Sequence, residues 1–255
     1  MYPGVIRETS VDLLLRRLED LAPLGEPARV FLSGLTPRRQ EHAAGQEIYE
    51  QGAQVRSPRL VVSGWACRMR FLSDGRRQIF GFLLPGDTMG LDDRLEPVAL
   101  CSVIALTALE TADISPVAAA IRGRQPEHEA LCDAFALVAR AEQAALLDHM
   151  MRLGRLSAYE RTAHLLLDLC HRLSAVGLGD RCFRLPLTQE VLADALGLSL
   201  VHVNCTLMQL RRDRLVVLKG SAAELPDPER LAIVANYSPQ PLQPAAAAAG
   251  AGLYG

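Results

Sequence analysis

The sequence predicts an α+β protein with three parts: an antiparallel sandwich or barrel of short strands, one long helix, and a C-terminal winged helix-turn-helix. Short apolar runs alternating with glycine turns, from residue 45 to about residue 115, predict the strands. Apolar residues at helical spacing over residues 127–153 predict the long helix. Two short amphipathic segments within residues 188–213, each preceded by a hydroxyl residue and separated by a glycine, predict the helix-turn-helix.

Composition limits the classes of function. The chain has 255 residues and a formal net charge of −2, so binding to a polyanion requires a local basic patch. The six cysteines are scattered without a C-x-x-C pair, which is typical of reduced thiols in a cytoplasmic protein, and we expect no metal. The first residues lack the basic and apolar regions of a signal peptide and no apolar run reaches about 18 residues, so we expect neither a signal peptide nor a membrane segment. The motifs G-x-S-x-G and H-E-x-x-H are missing, and we expect no enzyme activity.

The N-terminal region, residues 1–126, is predicted to hold an amphipathic helix followed by the strands. The helix is indicated by the leucines between Leu13 and Leu21. Within the strand region, the segment RMRFLSDGRRQIFGF consists of two β-prone runs around Ser73-Asp74-Gly75. This pattern predicts a β-hairpin.

The long helix is predicted to carry the contacts between two copies of the chain. It is apolar on more than one face, since Leu137, Ala144, Leu147 and Met151 lie off its main stripe. We therefore expect it to pack on its own domain and on a partner, the alternative being a core helix of a monomer. Gly154 interrupts the pattern and predicts a hinge, so residues 127–154 form the dimerisation helix and hinge. The expected interface residues are Leu131, Ala134, Phe135, Val138, Ala141, Ala145 and Leu146.

The C-terminal region, residues 155–238, begins with a capping box at Ser157 and Glu160. It contains the helix-turn-helix, whose second helix is predicted to bury Val203, Leu207 and Leu210 and to enter a major groove. The low-complexity segment at 239–255 is expected to be disordered.

The basic patch follows the second helix. Arg211, Arg212, Arg214 and Lys219 lie together, opposed only by Asp213, and a wing-like hairpin is predicted from residue 215 onward. A helical pair with a solvated charged end is the alternative. The residues predicted to meet double-stranded DNA are Thr188, Gln189, Ser199, Leu200, Val201, His202, Asn204, Cys205, Met208, Arg211, Arg212 and Lys219.

Several motifs in a fixed order carry a family resemblance. They are GQEI with QG at 45–52, SG at 63–64, DGRRQ at 74–78, LPGD with a glycine at 84–90, and LTQEVLADALGLSLVHVNCTLMQLRRD at 187–213. Over about residues 25–237 the chain resembles the CRP/FNR superfamily of bacterial transcription regulators. The resemblance implies a cyclic-nucleotide-binding-like β-roll (a double-stranded β-helix, jelly-roll-like), a dimerising helix and a winged helix-turn-helix. It also implies a homodimer that binds pseudo-palindromic operators and contacts RNA polymerase.

Departures from the family pattern concern the effector pocket. Members that bind cyclic AMP hold its ribose and phosphate with a glutamate after the glycine matching Gly90, and with an Arg-Ser pair. Here Leu91, Ala99 and Leu100 occupy those positions, so we expect no cyclic nucleotide in the usual mode, because a buried phosphate needs cations and donors. The degenerate pocket near these residues has an unknown effector: a hydrophobic molecule, or none, with control by protein abundance alone.

The resemblance also has implications for cofactors. The oxygen-sensing branch holds iron–sulfur with an N-terminal cysteine cluster, whereas the first cysteine of this chain is Cys67. Cys67 and Cys101 are candidate haem ligands, but a lone strand cysteine is usually a core residue. We expect no cofactor.

Cys205 stands where the family usually has an arginine that donates to guanine. Without that arginine, the binding free energy that distinguishes guanine from the other bases falls by roughly 1–3 kcal/mol per half-site. Three interpretations follow: altered specificity; the usual specificity through other contacts and DNA deformation; or impaired DNA binding, which leaves a ligand- or protein-interaction module. For Cys205 itself there are two further alternatives: a thiol that responds to oxidation, or a substitution without chemical consequence. Arg214 stands where the family often has glycine, and a left-handed conformation there costs about 1 kcal/mol.

Overall fold

The computed structural model describes residues 10–92 and 96–238, so the predicted tail at 239–255 lies outside the described residues. The N-terminal part begins with two helices and continues with eight strands and a third helix. The helices are α1 (Ser10–Leu21), α2 (Glu26–Ser33) and α3 (Ser115–Gly123). The strands are β1 (Arg39–His42), β2 (Glu47–Tyr49), β3 (Arg59–Ser63), β4 (Ala66–Phe71), β5 (Arg77–Leu83), β6 (Thr88–Met89), β7 (Ser102–Ala105) and β8 (Leu109–Asp113).

The strands form two four-stranded antiparallel sheets, with the orders β1-β8-β3-β6 and β2-β7-β4-β5. Apolar side chains from both sheets, among them Val61, Leu83 and Val103, form one buried cluster between them. The predicted hairpin is confirmed, because β4 pairs with β5 from Ala66 opposite Leu83 to Phe71 opposite Arg77. This arrangement confirms the antiparallel β-roll.

The long helix differs from its prediction at both ends. A 3-10 turn (Pro126–His128) precedes α4, which spans Glu129–Arg155 and therefore continues through Gly154. The predicted interruption at Gly154 is wrong, because one glycine costs a helix only about 1 kcal/mol and the neighbouring turns outweigh that cost. The helix ends where Leu156 becomes extended, immediately before the next helix begins.

The C-terminal part consists of four helices and a small sheet. They are α5 (Ala158–Ala175), β9 (Cys182–Arg184), α6 (Gln189–Leu196), α7 (Leu200–Arg212), β10 (Val217–Lys219), β11 (Ala222–Glu224) and α8 (Pro228–Ala235). The capping box that opens α5 is confirmed, since Ser157 and Glu160 exchange both hydrogen bonds. Strands β10 and β11 form the predicted wing, which β9 extends to three strands.

The roll and the C-terminal part share one hydrophobic core. Trp65, Ile79 and Phe82 of the roll belong to the same buried cluster as Leu166 and Leu196 of the C-terminal helices. Polar contacts tighten the same boundary. On α5, Arg172 donates to Asp87 at 2.5 Å, while Arg17 of α1 approaches the other carboxylate oxygen at 3.4 Å. Burial opposes the charge of Asp87, but the two guanidinium groups outweigh it and hold the pKa of this carboxyl below its usual value.

The helices that the structure describes do not individually meet the requirements of a membrane span. Within residues 10–92 and 96–238, no single helix is long and apolar enough to cross a membrane. Helices α6 and α7 meet the length and composition requirement only when they are counted together, and the pair is bent by 100°.

Candidate nucleic-acid interface

The helix-turn-helix is built by local chemistry at three positions. Thr188 caps α6, because its hydroxyl oxygen accepts from the Val191 backbone N–H at 3.2 Å. Gly197 then takes a left-handed conformation with φ 62°, which ends α6 and turns the chain. Ser199 caps α7 in the same way, accepting from the His202 backbone N–H at 3.3 Å. The 100° bend between the two helices lies in the range typical of DNA-binding helix pairs.

Helix α7 divides into a buried face and an exposed face. Val203, Leu207 and Leu210 are buried as predicted, and Thr206 joins them. On the other side Val201 is 69 % exposed, with Leu200, His202, Cys205 and Met208 also exposed and Asn204 half-buried at the edge. The exposed face is thus mainly apolar, with Cys205 at its centre. Thr188, Gln189, Ser199, Arg211, Arg212 and Lys219, the other residues predicted to meet DNA, are exposed as well.

His202 has a defined partner on this face. Its Nδ1 lies 2.9 Å from the Ser199 hydroxyl oxygen, which already accepts from the His202 backbone N–H. The Ser199 hydroxyl therefore holds the imidazole ring through Nδ1 and leaves Nε2 on the side of the ring away from Ser199. Held in this way, His202 presents a ring nitrogen that is able to hydrogen-bond to a phosphate or to a base edge.

The acidic residue inside the basic patch is held by its own domain. Tyr159 of α5 donates to the Asp213 carboxylate at 2.5 Å. Burial and this carboxylate raise the pKa of Tyr159 to about 12, so the phenol stays protonated and remains a donor at neutral pH. Arg211, Arg212 and Lys219 are exposed around this tethered carboxylate. The patch therefore keeps its positive charge available to phosphates.

Arg214 takes the left-handed conformation that its position predicts, with φ 59°. An L-residue other than glycine pays about 1 kcal/mol for this conformation, so we expect Arg214→Gly to raise the free energy of unfolding by about 1 kcal/mol and Tm by roughly 2–4 °C. The matched control is Arg211→Gly, inside α7, which should lower stability by a similar amount. Calorimetry on both variants checks this, and a loss of stability in Arg214→Gly would contradict it.

A second candidate site lies between the roll, α1, α4 and α5. It is a cavity of about 1010 Å³ whose lining includes all four residues predicted for the degenerate pocket: Gly90, Leu91, Ala99 and Leu100. Gly90 has φ 71°, and a Cβ there would come within 2.6 Å of Val55 and 2.8 Å of the Tyr49 hydroxyl. A side chain at this position would clash with Val55 and Tyr49, and the positive φ favours glycine as well.

Two arginines of strand β4 line this cavity, and both are engaged by the protein itself. Arg68 donates to the Glu142 carboxylate at 2.7 Å, which joins the roll to α4. Arg70 donates to the backbone oxygen of Leu100 at 2.7 Å and 3.1 Å from two of its nitrogens. A phosphate in this part of the cavity would have to compete with both arrangements.

The candidate haem ligands lie in different surroundings. Cys67 is fully buried in the shared core, and burial raises the pKa of its thiol to about 12. Cys101 lines the cavity, and burial raises the pKa of its thiol as well. Both thiols are therefore protonated at neutral pH. Across residues 10–92 and 96–238, no group of three His, Cys, Asp or Glu side chains is placed to hold a metal ion.

The predicted interface stripe on α4 is wrong for its first three residues. Leu131, Ala134 and Phe135 are buried within the protomer, packed with α1 and α2, so a partner cannot touch them. Val138 is half-buried against the same cluster, and Ala141 and Ala145 line the cavity. Helical periodicity marks an apolar stripe but does not say which body covers it.

Leu146, the last residue of the predicted stripe, lines the edge of the cavity and is also exposed beside Leu147, one of the apolar residues predicted to lie off the main stripe. Leu146 is 49 %, Leu147 61 % and Met150 69 % exposed. Together with the exposed Ala136, Ala139 and Gln143 they define the outer face of α4. The signal was present in the sequence, because Ala136, Ala139, Gln143, Leu146 and Met150 follow the alternating spacing of three and four residues that pairs helices.

Comparison with known proteins agrees with this architecture. Residues 39–118 match the sequence model of the cyclic nucleotide-binding domain, and residues 160–233 match that of the Crp-like helix-turn-helix domain. The nitrogen fixation regulation protein FixK of Rhizobium meliloti (strain 1021) is 34 % identical over 198 residues, which are 75 % of this chain and 84 % of FixK. The transcriptional activator protein FnrL of Cereibacter sphaeroides is 32 % identical over 191 residues, which are 71 % of this chain and 73 % of FnrL.

Solved structures give the same result. FixK2 from Bradyrhizobium japonicum superimposes with a TM-score of 0.68 at 29 % identity, covering 78 % of this chain and 98 % of FixK2. The CRP-family regulator TTHB099 from Thermus thermophilus superimposes with a TM-score of 0.60 at 22 % identity, covering 78 % of this chain and 97 % of that protein, and shares the fold. These matches favour a regulator over a module with impaired DNA binding. The chain belongs to the CRP/FNR family of DNA-binding transcription regulators.

Proposed function

We propose that this chain binds a pseudo-palindromic operator as a homodimer, and that its base preference differs from the usual one of the family because Cys205 stands in the centre of the recognition face. The observation that supports this most is the composition of that face. Leu200, Val201, Cys205 and Met208 are exposed on α7 and offer apolar contact, which suits thymine methyl groups. His202 lies beside them, with its ring held by the Ser199 hydroxyl.

The affinity comes from a different set of residues. The exposed Arg211, Arg212 and Lys219 contact phosphates, as do Gln189 and the capping hydroxyl groups of Thr188 and Ser199. Phosphate contacts depend on salt and fix the orientation of the protein without selecting sequence. Specificity therefore depends on the few side chains of α7 that touch bases. By family resemblance, we also infer that the bound dimer contacts RNA polymerase and acts in the bacterial cytoplasm.

The outer face of α4 is the proposed dimer interface. Dimers are how regulators of this family act, and the alternating spacing along α4 suits a parallel pair of helices. Each protomer would cover Leu146, Leu147 and Met150, which single chains leave exposed to water. Covering such side chains is favourable by about 25 cal/mol for each Å² of apolar surface.

We expect Leu146→Glu to convert the dimer to a monomer, because the new carboxylate would be buried against its symmetry mate. The matched control is Arg155→Glu, an exposed position at the end of the same helix, away from the outer face. Sedimentation velocity measures both. A Leu146→Glu protein that remains dimeric at the same concentration as Arg155→Glu would exclude this interface.

We propose that the cavity does not bind a cyclic nucleotide in the way that the cyclic-AMP-binding members of the family do. Leu91 and Ala99 offer no charge to a cyclic phosphate, and Arg68 is paired with Glu142. We expect millimolar cyclic AMP to leave both Tm and operator affinity unchanged. Calorimetry and fluorescence anisotropy with and without cyclic AMP measure this, and a Tm increase that saturates with nucleotide would contradict it.

A further inference from the structure

The contact between the first residues of strand β5 and helix α6 is the starting observation. The guanidinium group of Arg77 forms an ion pair with the carboxylate of Asp194. The neighbouring Gln78 donates from its amide nitrogen to the backbone oxygen of the same Asp194 at 2.9 Å. Two consecutive residues of the roll thus hold one residue of the first helix of the helix-turn-helix, one through its side chain and one through its backbone.

The same contact includes the helix that carries the proposed dimer interface. The amide nitrogen of Gln78 lies 3.4 Å from Nε2 of His149, a buried residue of α4. Three elements therefore meet at Gln78: the roll, the dimer helix and the DNA-binding domain. Helix α7 packs directly on α6 and is joined to it by the short turn at Gly197. Any rotation of α6 about this point carries the recognition helix with it.

The energetic role of the pair is small compared with its geometric role. Arg77 is 39 % and Asp194 22 % exposed, and an ion pair of this exposure contributes only about 0–1 kcal/mol to stability. DNA binding, by contrast, depends strongly on the angle between the roll and the DNA-binding domain. The dimer must place its two recognition helices in successive major grooves about 34 Å apart. The shared hydrophobic core also holds this boundary, so loss of the pair should shift the angle between the two bodies rather than unfold the protein.

We propose that Arg77 and Gln78 are positioning residues for DNA recognition: by holding Asp194 of α6 against β5, they set the separation of the two recognition helices in the dimer. This inference rests on the proposed function. It adds a role for residues that lie on the roll, outside the DNA-binding domain. Neither residue touches DNA in this proposal; both act through α6.

The test measures the separation without DNA. Cys205 is exposed on the recognition helix and accepts a nitroxide spin label, in a background where Cys182, Cys101 and Cys132 are serine. Pulsed electron paramagnetic resonance then gives the distance between the two labels in the dimer. Arg77→Glu should broaden this distribution, and the double variant Arg77→Glu/Asp194→Arg should narrow it again. The matched control is Arg76→Glu, the adjacent residue, which pairs with Asp74 in the hairpin turn and is 76 % exposed.

Operator binding provides a second measurement, which connects the separation of the recognition helices with DNA affinity. On unlabelled protein, Arg77→Glu should weaken operator affinity by roughly tenfold, the equivalent of about one base-pair contact, and widen the range of tolerated half-site spacings. Arg76→Glu makes the same change of charge and should leave the spacing preference intact. Gln78→Ala, which keeps all charges, gives a milder version should Arg77→Glu fail to fold. Thermal melting establishes that each variant is folded.

The outcomes separate the two proposals. A label–label distribution in Arg77→Glu as narrow as in Arg76→Glu overturns the positioning role, whatever happens on DNA. The absence of any label–label distance, which means a monomer, overturns it too. A wild-type protein that does not distinguish operator from scrambled duplex contradicts the proposed DNA specificity instead, while the distance measurement still decides the positioning role.

Discussion

Cys205→Arg should bind duplexes with guanine at the contacted position more tightly than duplexes with any other base there, by about ten- to a hundredfold per half-site. Arginine matches guanine O6 and N7 with two donors, a contact worth roughly 1–3 kcal/mol, whereas a thiol is a weak and short donor. Cys205 is exposed, so the substitution leaves the packing of α7 unchanged. Fluorescence anisotropy on four duplexes that differ only at this base pair, at two salt concentrations, measures the effect.

The control is Cys205→Ser, which keeps the size of the side chain and adds no planar fork. It should behave like the wild type on all four duplexes. A gain of affinity in Cys205→Arg that is equal for every base would mean that the arginine reaches only phosphates, and position 205 would then carry no specificity.

The second large effect is a loss of stability in mild acid. His149 and His164 are buried on either side of Arg152, with their Nδ1 atoms 3.4 Å and 3.3 Å from its guanidinium nitrogens. Burial first, and then the charge of Arg152, lowers the pKa of each histidine from 6.5 to about 4. In the unfolded chain the two histidines therefore bind protons below about pH 6.5. In the folded chain they bind protons only near pH 4.

Stability must consequently fall as pH falls through this window. We expect the free energy of unfolding to drop by roughly 2 kcal/mol per histidine between pH 7 and pH 5. Urea unfolding at the two pH values measures it. His149→Gln should remove part of the loss, while His171→Gln, an exposed position on α5, should leave the loss as in the wild type. Equal stability of the wild type at pH 7 and pH 5 would contradict the buried neutral state of both rings.

The predictions that succeeded depend on residues close together in the chain. Thr188, Gly197 and Ser199 specify two helix starts and a left-handed turn within twelve residues, and each conformation is observed. The turn at residues 73–75 specifies its hairpin in the same way. Local hydrogen bonds and the freedom of glycine determine these features, whatever surrounds them.

The predictions that failed depend on what lies across the fold. The stripe through Leu131 and Phe135 has the periodicity of an interface, but α1 and α2 cover it within the protomer. The contact of Arg77 with Asp194 joins residues 117 positions apart, and two charged residues at that separation leave no pattern in the sequence. Cys205 is the opposite case, because its departure from the family could be seen in the sequence, whereas its exposure needed the structure.

Selection of the wild-type protein on a library of duplexes with randomised half-sites tests the proposed function most directly. We expect enrichment of a pseudo-palindrome with half-site centres about one helical turn apart, in which the base pair facing Cys205 is not restricted to guanine. Enrichment of the guanine that an arginine would select, or no enrichment above scrambled DNA, would contradict the proposal that this regulator recognises its operator through an altered face of α7.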